Sequence, residues 1–548
     1  MSAGSATPSL SATRSNPFWL DWTSLEWTVL AICVALGALN LWAPFTWDQA
    51  IFAMGGERLL HGGLLYRDYW DTKQPGIFWF YELGIRLFGL SEEGVHALEL
   101  IWFTAFAALL LTSLRRWFDN RWGAAVATLL IVGFYWAVTE DWHQTQPEGL
   151  VVFPFFVSVW FANEAARRGK SAAGGSGAFP FWVIAGFANG VVGTFKLLLV
   201  VLPAICWAMA LLSRWRDPRP GRLRDVLLGK AGLALGFVIP LAAMVLALQA
   251  HGVMREAWAA WVEFPKRIAP MIHGFPLKSL KESFGWFFER WSSLLAPALI
   301  GAWTGWRGKR SLLTTQMLVW IVACFPLILI QRFSGWEYHL WLFLLPLGLL
   351  AAQGLDAVAR PLRELRPPNS PAERRILLAL AVALVFVNPL ASVFTKGAAL
   401  AKDQFVRTPA LRHRHLLRAS RGSAYFRFEN EGAFLRDASA RPGPIFVVGN
   451  PLVYWLSGRR QSVPRTGGIL TEYYTTDDWN DAVSHLDATS TPYIFIEPTE
   501  SGLLQSERPR SDNFLAMLDQ RYRVMRTDTY GTWFERVAPA MTAAPARP

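Results

Sequence analysis

From Glu26 to about Thr395 the chain alternates long apolar runs with short polar stretches. A helix of about 20 mostly apolar residues crosses the hydrocarbon core of a bilayer. The pattern predicts about eleven spanning helices, near 26–44, 94–114, 122–139, 147–163, 178–195, 197–213, 231–250, 292–305, 311–330, 340–357 and 376–395. The fifth and sixth meet around Lys196, and the eighth is short. Ahead of them, residues 1–25 are rich in Ser, Ala and Thr and are predicted to be a disordered cytoplasmic start. The first run has no clean cleavage site behind it, so it reads as a retained helix.

Three stretches break the pattern. Residues 45–93, after the first run, are too charged to span and too apolar for a plain loop. Within them 49–60 fits a short helix ending at Gly62-Gly63, and Pro75 suits the first turn of a second one. Ile77, Phe78, Phe80, Tyr81, Ile85 and Phe88 give that second helix an apolar majority, with Glu82 and Arg86 as an i,i+4 pair on its wet side. Two amphipathic helices at the membrane surface are expected. Residues 396–427 are basic and read as an interfacial connector touching anionic headgroups. From 428 to 540 the signals are those of a small α/β domain. PIFVVG (444–449) and YIFIEP (493–498) read as strands, 475–488 as a helix capped by Thr476 or Asp477, and 522–537 as a hairpin turning at Tyr530-Gly531. The tail 541–548 is predicted to be disordered.

Composition agrees with a membrane chain. Charged residues are 17% and hydrophobic ones 53%, with a mean hydropathy of +0.25. Soluble domains carry about 25% charged residues, so an ordinary cytosolic enzyme is excluded, as are disorder and a disulfide scaffold. Cys33, Cys206 and Cys324 all lie in apolar runs, and no structural disulfide is expected. The net charge of +12 would raise nucleic acid as a partner for a soluble chain; here positive-inside loops account for much of it. With the N-terminus in the cytoplasm, Arg115, Arg116 and Arg121, then Arg167, Arg168 and Lys170, then 214–230, 307–310 and 360–375 all fall inside. The opposite loop, 139–147, has no Lys or Arg. An odd helix count puts the C-terminal domain outside. No internal repeat is visible, which disfavours transporters built from inverted repeats.

The chemistry concentrates in the first outer loop. Tyr66, Arg67, Asp68, Asp71 and Lys73 cluster between its two helices, and Asp48 sits where the first span emerges. A carboxylate beside a lysine at a membrane surface can accept a proton from a hydroxyl while the lysine holds a lipid-linked phosphate. The pattern W-D-Q, then G-G-x-x-Y-R-D-Y-W-D-x-K-Q-P-G, then Y-x-x-G-x-x-L-F-G resembles the GT-C glycosyltransferases that use polyprenyl-phosphate sugars. Protein O-mannosyltransferases, lipid A aminoarabinose transferases and lipopolysaccharide-core transferases are among them. The resemblance is best over 47–150 and continues more weakly in QRFSGWEYHLWLFLLPL (331–347).

This resemblance implies a GT-C fold and an inverting glycosyltransferase of the bacterial inner membrane. It would move a sugar from a polyprenyl-phosphate donor to an acceptor hydroxyl on the extracytoplasmic face. Asp48 matches the family's first-loop acid and would be the general base; Lys73 matches the lysine before proline and would hold the donor phosphate. Two departures stand out. The family often has Asp-Glu where this chain has Asp48-Gln49, and Lys-Pro where it has Lys73-Gln74-Pro75. Glu140 or Asp141 would match an acid of the second outer loop. Tyr66, Arg67, Asp71, Arg332 and His339 complete the candidate substrate-binding set. No cofactor is expected to be required. Glu140, Asp141 and His143 are residue types that bind divalent ions, which leaves a metal open there. The acceptor is open among glycan, lipid and protein. The competing readings are a lipid or solute transporter, which would carry charges at mid-membrane, and an oligosaccharide polymerase or ligase, which would want more arginines late in the chain than Arg332.

Overall fold

The computed structural model describes residues 22–537 except 119–120, 170–174, 219–220, 272–276, 308–310, 332–335, 366–392, 399–424, 438, 466–470 and 507. Most of the predicted eleventh span, most of the basic connector, Arg332, nearly all of the 1–25 start and the 541–548 tail lie outside the described residues.

The chain opens with α1 (Ser24–Ala38), α2 (Trp47–Leu60), α3 (Pro75–Phe88) and α4 (Glu92–Ser113). Then come α5 (Arg121–Val138), which contains a π-type turn at Leu129–Gly133, α6 (Pro147–Arg168) and α7 (Phe179–Phe195). A short 3₁₀ turn, Leu197–Val200, leads into α8 (Val201–Trp215), followed by α9 (Arg222–Ala250). Residues 254–268 form α10, which holds a second π-type turn at Ala259–Glu263. The bundle ends with α11 (Leu277–Arg307), α12 (Leu312–Ile330) and α13 (Leu344–Leu365), the last preceded by a 3₁₀ turn at Glu337–Phe343.

Among the described residues, seven segments are long and apolar enough to cross a membrane, and α1 and α7 are shorter apolar helices. Close crossings rest on glycine: a Cβ on Gly236 of α9 would run into the Val183 carbonyl of α7, and one on Gly301 of α11 into Leu350 of α13. Small residues let helix backbones approach where no hydrophobic force pulls them together. The predicted run at 292–305 turns out to be the second half of α11. Its first half carries Lys278, Lys281 and Glu282 outward while Leu280, Ser283, Phe287 and Trp291 are buried. That is helical spacing on an amphipathic stretch, so the helix runs on through what hydropathy reads as a loop.

Ion pairs gather one end of the bundle. Buried Glu26, at the start of α1, lies 2.8 Å from Arg115 and 3.5 Å from Arg121. Glu164 near the end of α6 meets Arg116, Arg167 and Arg168. Trp117 Nε1 donates to Ser311 Oγ at 3.1 Å, bringing in the start of α12. The polar segments at the heads of α2, α3 and α6 and the 139–147 loop therefore collect at the other end.

The C-terminal domain comprises α14 (Tyr425–Ala433), β1 (Ile445–Val448), α15 (Leu452–Ser457), α16 (Thr476–Ala488), β2 (Tyr493–Ile496), α17 (Pro498–Ser506), α18 (Arg508–Arg521), β3 (Tyr522–Thr527) and β4 (Thr532–Arg536). The sheet order is β1-β2-β4-β3, with β1 and β2 parallel and the other pairs antiparallel. Side chains alternate across β1 and β2. Phe446, Val448, Ile494 and Ile496 pack with Trp479 and Phe514 of α16 and α18, whereas Ile445, Val447, Tyr493 and Phe495 join the core shared with the bundle. Both faces are covered, which is why each strand is a continuous apolar run. The α16 cap is Thr475, whose hydroxyl accepts from the Asp478 amide in a reciprocal capping box, one residue before the predicted cap.

Candidate active site

Local sequence sets the position of Asp48. Thr46 caps α2 and Gln49 closes its capping box, so Asp48 stands in the first turn. The helix behind it is buried from Gln49 to Gly56, packed on α3 and α15 instead of resting on one apolar face. The Tyr338 hydroxyl donates to Asp48 Oδ2 at 3.0 Å, from a residue 290 positions later.

Lys73 belongs to the loop between α2 and α3, and its backbone is held on three sides. The Tyr66 hydroxyl donates to its carbonyl at 2.8 Å and Trp261 Nε1 donates to the same oxygen at 3.3 Å. Its own N–H donates to Asp71 Oδ1 at 2.8 Å. Trp261 reaches it from the π-type turn of α10, a feature common at functional sites. Tyr66 has φ 70°, outside the region side chains favour, and the surrounding contacts hold it there. The ammonium makes no hydrogen bond or ion pair among the described residues; the Phe52 ring centroid is 5.9 Å away. Burial pulls it down, but Asp71, Asp48 and Glu148 together lift it above the ordinary lysine value. Asp71 is held up chiefly by burial, against the pull of Lys73.

A second cation completes the cluster. Lys196 sits at the break between α7 and the Leu197–Val200 turn, where the backbone becomes extended. Its Nζ lies 2.5 Å from Glu148 Oε1, and His339 Nε2 lies 3.5 Å from that same oxygen. The other oxygen, Glu148 Oε2, is buried without a hydrogen-bond partner among the described residues. Asp48, Asp71, Lys73, Glu148, Lys196, Tyr338 and His339 thus share one mutually charged site. Glu148, Lys196 and Tyr338 were not among the residues picked from sequence. The available signal was a charge or a tyrosine interrupting an apolar run, which marks a functional position in a membrane segment.

The other candidates have their own partners around this group. Arg67 pairs with Asp68 at 2.9 Å and is 57% exposed, in contrast to the half-buried Lys73. Tyr66 acts on the Lys73 backbone. Glu140 is 2.7 Å from Arg290 of α11. Lys396 donates to Asn40 Oδ1 at 2.6 Å and to the Thr139 carbonyl at 2.7 Å. Burial holds Asp141 up at about 6 and Lys396 down at about 8, and it pushes His143 down to about 3. His143 is fully buried between Trp142 and Trp286, with ring centroids 4.8 and 4.4 Å away. Among the described residues no three His, Cys, Asp or Glu side chains group to hold a metal ion.

The C-terminal domain closes over the Lys73 loop. Trp70 N–H donates to the Pro464 carbonyl at 2.9 Å. The Arg465 guanidinium lies 4.7 Å from the centre of the Trp70 ring and pairs with Asp478. Asp478 also meets Arg267 of α10 at 2.8 Å.

No protein-family model matches the chain. No curated protein matches its sequence. Among solved structures, the chain is similar to ArnT from Cupriavidus metallidurans bound to undecaprenyl phosphate, at 16% identity and a TM-score of 0.59, over 94% of this chain and 99% of that one. The apo state of the same protein gives a TM-score of 0.59 at 16% identity, over 93% and 98%. The archaeal oligosaccharyltransferase AglB from Archaeoglobus fulgidus, in complex with an inhibitory peptide and a dolichol-phosphate, is more distant, with a TM-score of 0.43 at 13% identity over 86% and 69%. The likeness to ArnT spans nearly the whole length of both chains, and the chain has a GT-C-like fold.

Proposed function

We propose that this chain is a membrane glycosyltransferase that moves a sugar from a polyprenyl-phosphate donor to an acceptor hydroxyl. The observation that carries the reading is Asp48, fixed through one oxygen by Tyr338, in the same cluster as the Lys73 ammonium. Undecaprenyl phosphate bound to the structural neighbour supports the donor class.

The step balances as a single displacement. Asp48 takes the proton of the acceptor hydroxyl as its oxygen attacks the anomeric carbon. The bond from that carbon to the phosphate oxygen breaks, and its electron pair leaves with the polyprenyl phosphate. The leaving group gains one negative charge, which Lys73 stabilises as it develops. In-line attack inverts the anomeric centre. Tyr338 orients the carboxylate so that Oδ1 faces the acceptor, and Glu148 keeps Lys196 and His339 in place beside the phosphate. The basic end of the bundle supports, by the positive-inside rule, a reading in which that end is cytoplasmic and the site and C-terminal domain are extracytoplasmic.

The test is lipid mass spectrometry of cells carrying the wild type, a deletion or Asp48→Asn. A polyprenyl-phosphate sugar should accumulate in the deletion and in the variant alike. Purified Asp48→Asn should lose about 10²–10⁴-fold in turnover, the usual worth of a general base. Near-normal turnover in the folded variant would sink the assignment.

A further inference from the structure

Gln49 occupies the position where the resembled family often carries a second acid, and its surroundings require an amide. The side chain is fully buried. Its Oε1 accepts from the Thr46 N–H at 2.7 Å and from the Thr46 hydroxyl at 2.8 Å. Its Nε2 donates to the carbonyls of Asp141 at 2.6 Å and Gln144 at 2.9 Å. A carboxamide offers two acceptor sites and two donors, and all four are used. The partners also dictate which end is which, because an N–H faces one end and two carbonyls face the other. A carboxylate has no hydrogen to give those carbonyls.

We propose that Gln49 is the positioning residue for Asp48: its neutral amide fastens the first turn of α2 to the 139–147 loop and so fixes where the Asp48 carboxylate stands. The loop is itself anchored behind the contact. Thr145, at φ 51°, is held by Glu99, to which its N–H donates at 3.0 Å and its hydroxyl at 3.2 Å. The Tyr81 hydroxyl donates to the Thr145 carbonyl at 3.4 Å, and Lys396 holds Thr139. Gln49 thus joins a rigid loop to the residue before it in sequence. The charged or titratable groups around this junction include Asp48 on its own helix with Tyr338 against it, Glu140, Asp141 and His143 on the loop, Arg290 and Lys396 packed on that loop, and Glu99, His96, Tyr81 and Tyr135 around Thr145. The inference rests on Asp48 being the base.

Gln49→Glu turns the idea into a pH experiment. One carboxyl oxygen can keep both Thr46 bonds. The other can satisfy a carbonyl only as O–H, and burial against two carbonyls raises a carboxyl's pKa. The folded variant then binds a proton that the unfolded chain releases above about 4.3. Relative to wild type it should lose stability as pH rises from that value. A neutral carboxyl gives one hydrogen where the amide gives two, so in detergent the melting temperature of Gln49→Glu should lie below wild type at pH 5 and fall further below it towards pH 8. With the polyprenyl-phosphate sugar that accumulates in the deletion strain, extracted and used as donor, its kcat relative to wild type should fall about 10-fold over the same range, the scale of one lost charged hydrogen bond, with the KM for that lipid unchanged. Gln49→Met, which removes all four bonds without a charge, should show a kcat ratio that is low and flat with pH.

Melting and kcat that parallel wild type at every pH would overturn the proposal. So would a melting shift with kcat unmoved, since that is a structural role only. Full turnover by Asp48→Asn would strike the base assignment instead. The failures are distinguishable because the melting measurement needs no donor.

Discussion

Replacing Glu148 by Gln removes the carboxylate that Lys196 grips at 2.5 Å while keeping its size. At that separation and an effective dielectric of about 20, the gross attraction is about 7 kcal/mol. Desolvation of two buried ions offsets much of it, so the net cost of removing one partner is about 3–5 kcal/mol. Two features of the site push towards the upper end: the Lys73 ammonium acts on Lys196 as a like charge, and His339 Nε2 loses the same oxygen at 3.5 Å. Adding Lys196→Met removes the stranded cation, so the double variant should regain most of the loss. The assay is detergent-to-SDS unfolding followed by the fluorescence of the 28 tryptophans. The double-mutant cycle should give a coupling of at least about 2 kcal/mol. A cost below about 1 kcal/mol for Glu148→Gln, or simple additivity of the two changes, would refute the reading of this pair as a buried, mutually dependent unit.

Lys73→Ala should weaken the apparent donor affinity about 10- to 100-fold, the worth of a charged hydrogen bond to phosphate, with little change in melting; an unchanged donor KM counts against its role. Tyr338→Phe deletes the 3.0 Å hydrogen bond to Asp48 and should lower kcat by about 10-fold or more; wild-type kcat in a steady-state assay would show that the hydroxyl does not orient the base. Burial holds Asp141 at about 6 against an ordinary 3.8, so the folded chain keeps this proton longer and loses stability as pH rises through that window. The melting temperature of Asp141→Asn minus that of wild type should therefore grow between about pH 4 and pH 6 and level off above; a constant difference would contradict it.

Much of this molecule was readable in one dimension. The spans at 94–114, 122–139 and 311–330 and both loop helices lie within a few residues of their predicted bounds, because burial in lipid or core imposes long apolar runs and because Pro75 and the Gly62-Gly63 pair mark ends. Asp48, Asp71 and Lys73 stood out as polar residues crowded into an otherwise apolar loop. Glu148 and Lys196 did not, because each is a lone charge beside an apolar run and the two are 48 positions apart; only folding makes them a pair. Arg67 is adjacent in sequence to the cluster, and nothing in that adjacency reveals that its ion pair is with Asp68 and its side chain exposed. Tyr338 was passed over for His339, since nothing in WEYHL reveals which ring reaches α2. The role of Gln49 depends on the 139–147 loop coming alongside it, which no local pattern encodes.

The clasp between Trp70, Pro464, Arg465, Asp478 and Arg267 bears on the order in which a working molecule comes into being. The loop carrying Lys73 is made near the beginning of synthesis, yet Pro464 and Arg465, which hold its Trp70 end, emerge nearly four hundred residues later. Domains generally fold as units in the order they are synthesised. Trp261 of α10 already holds the Lys73 carbonyl, so a chain halted after α13 has the Lys73 end of the loop held but its Trp70 end without the contacts that Pro464 and Arg465 supply. The Trp70 end of the loop therefore reaches its final packing only once the last domain is complete.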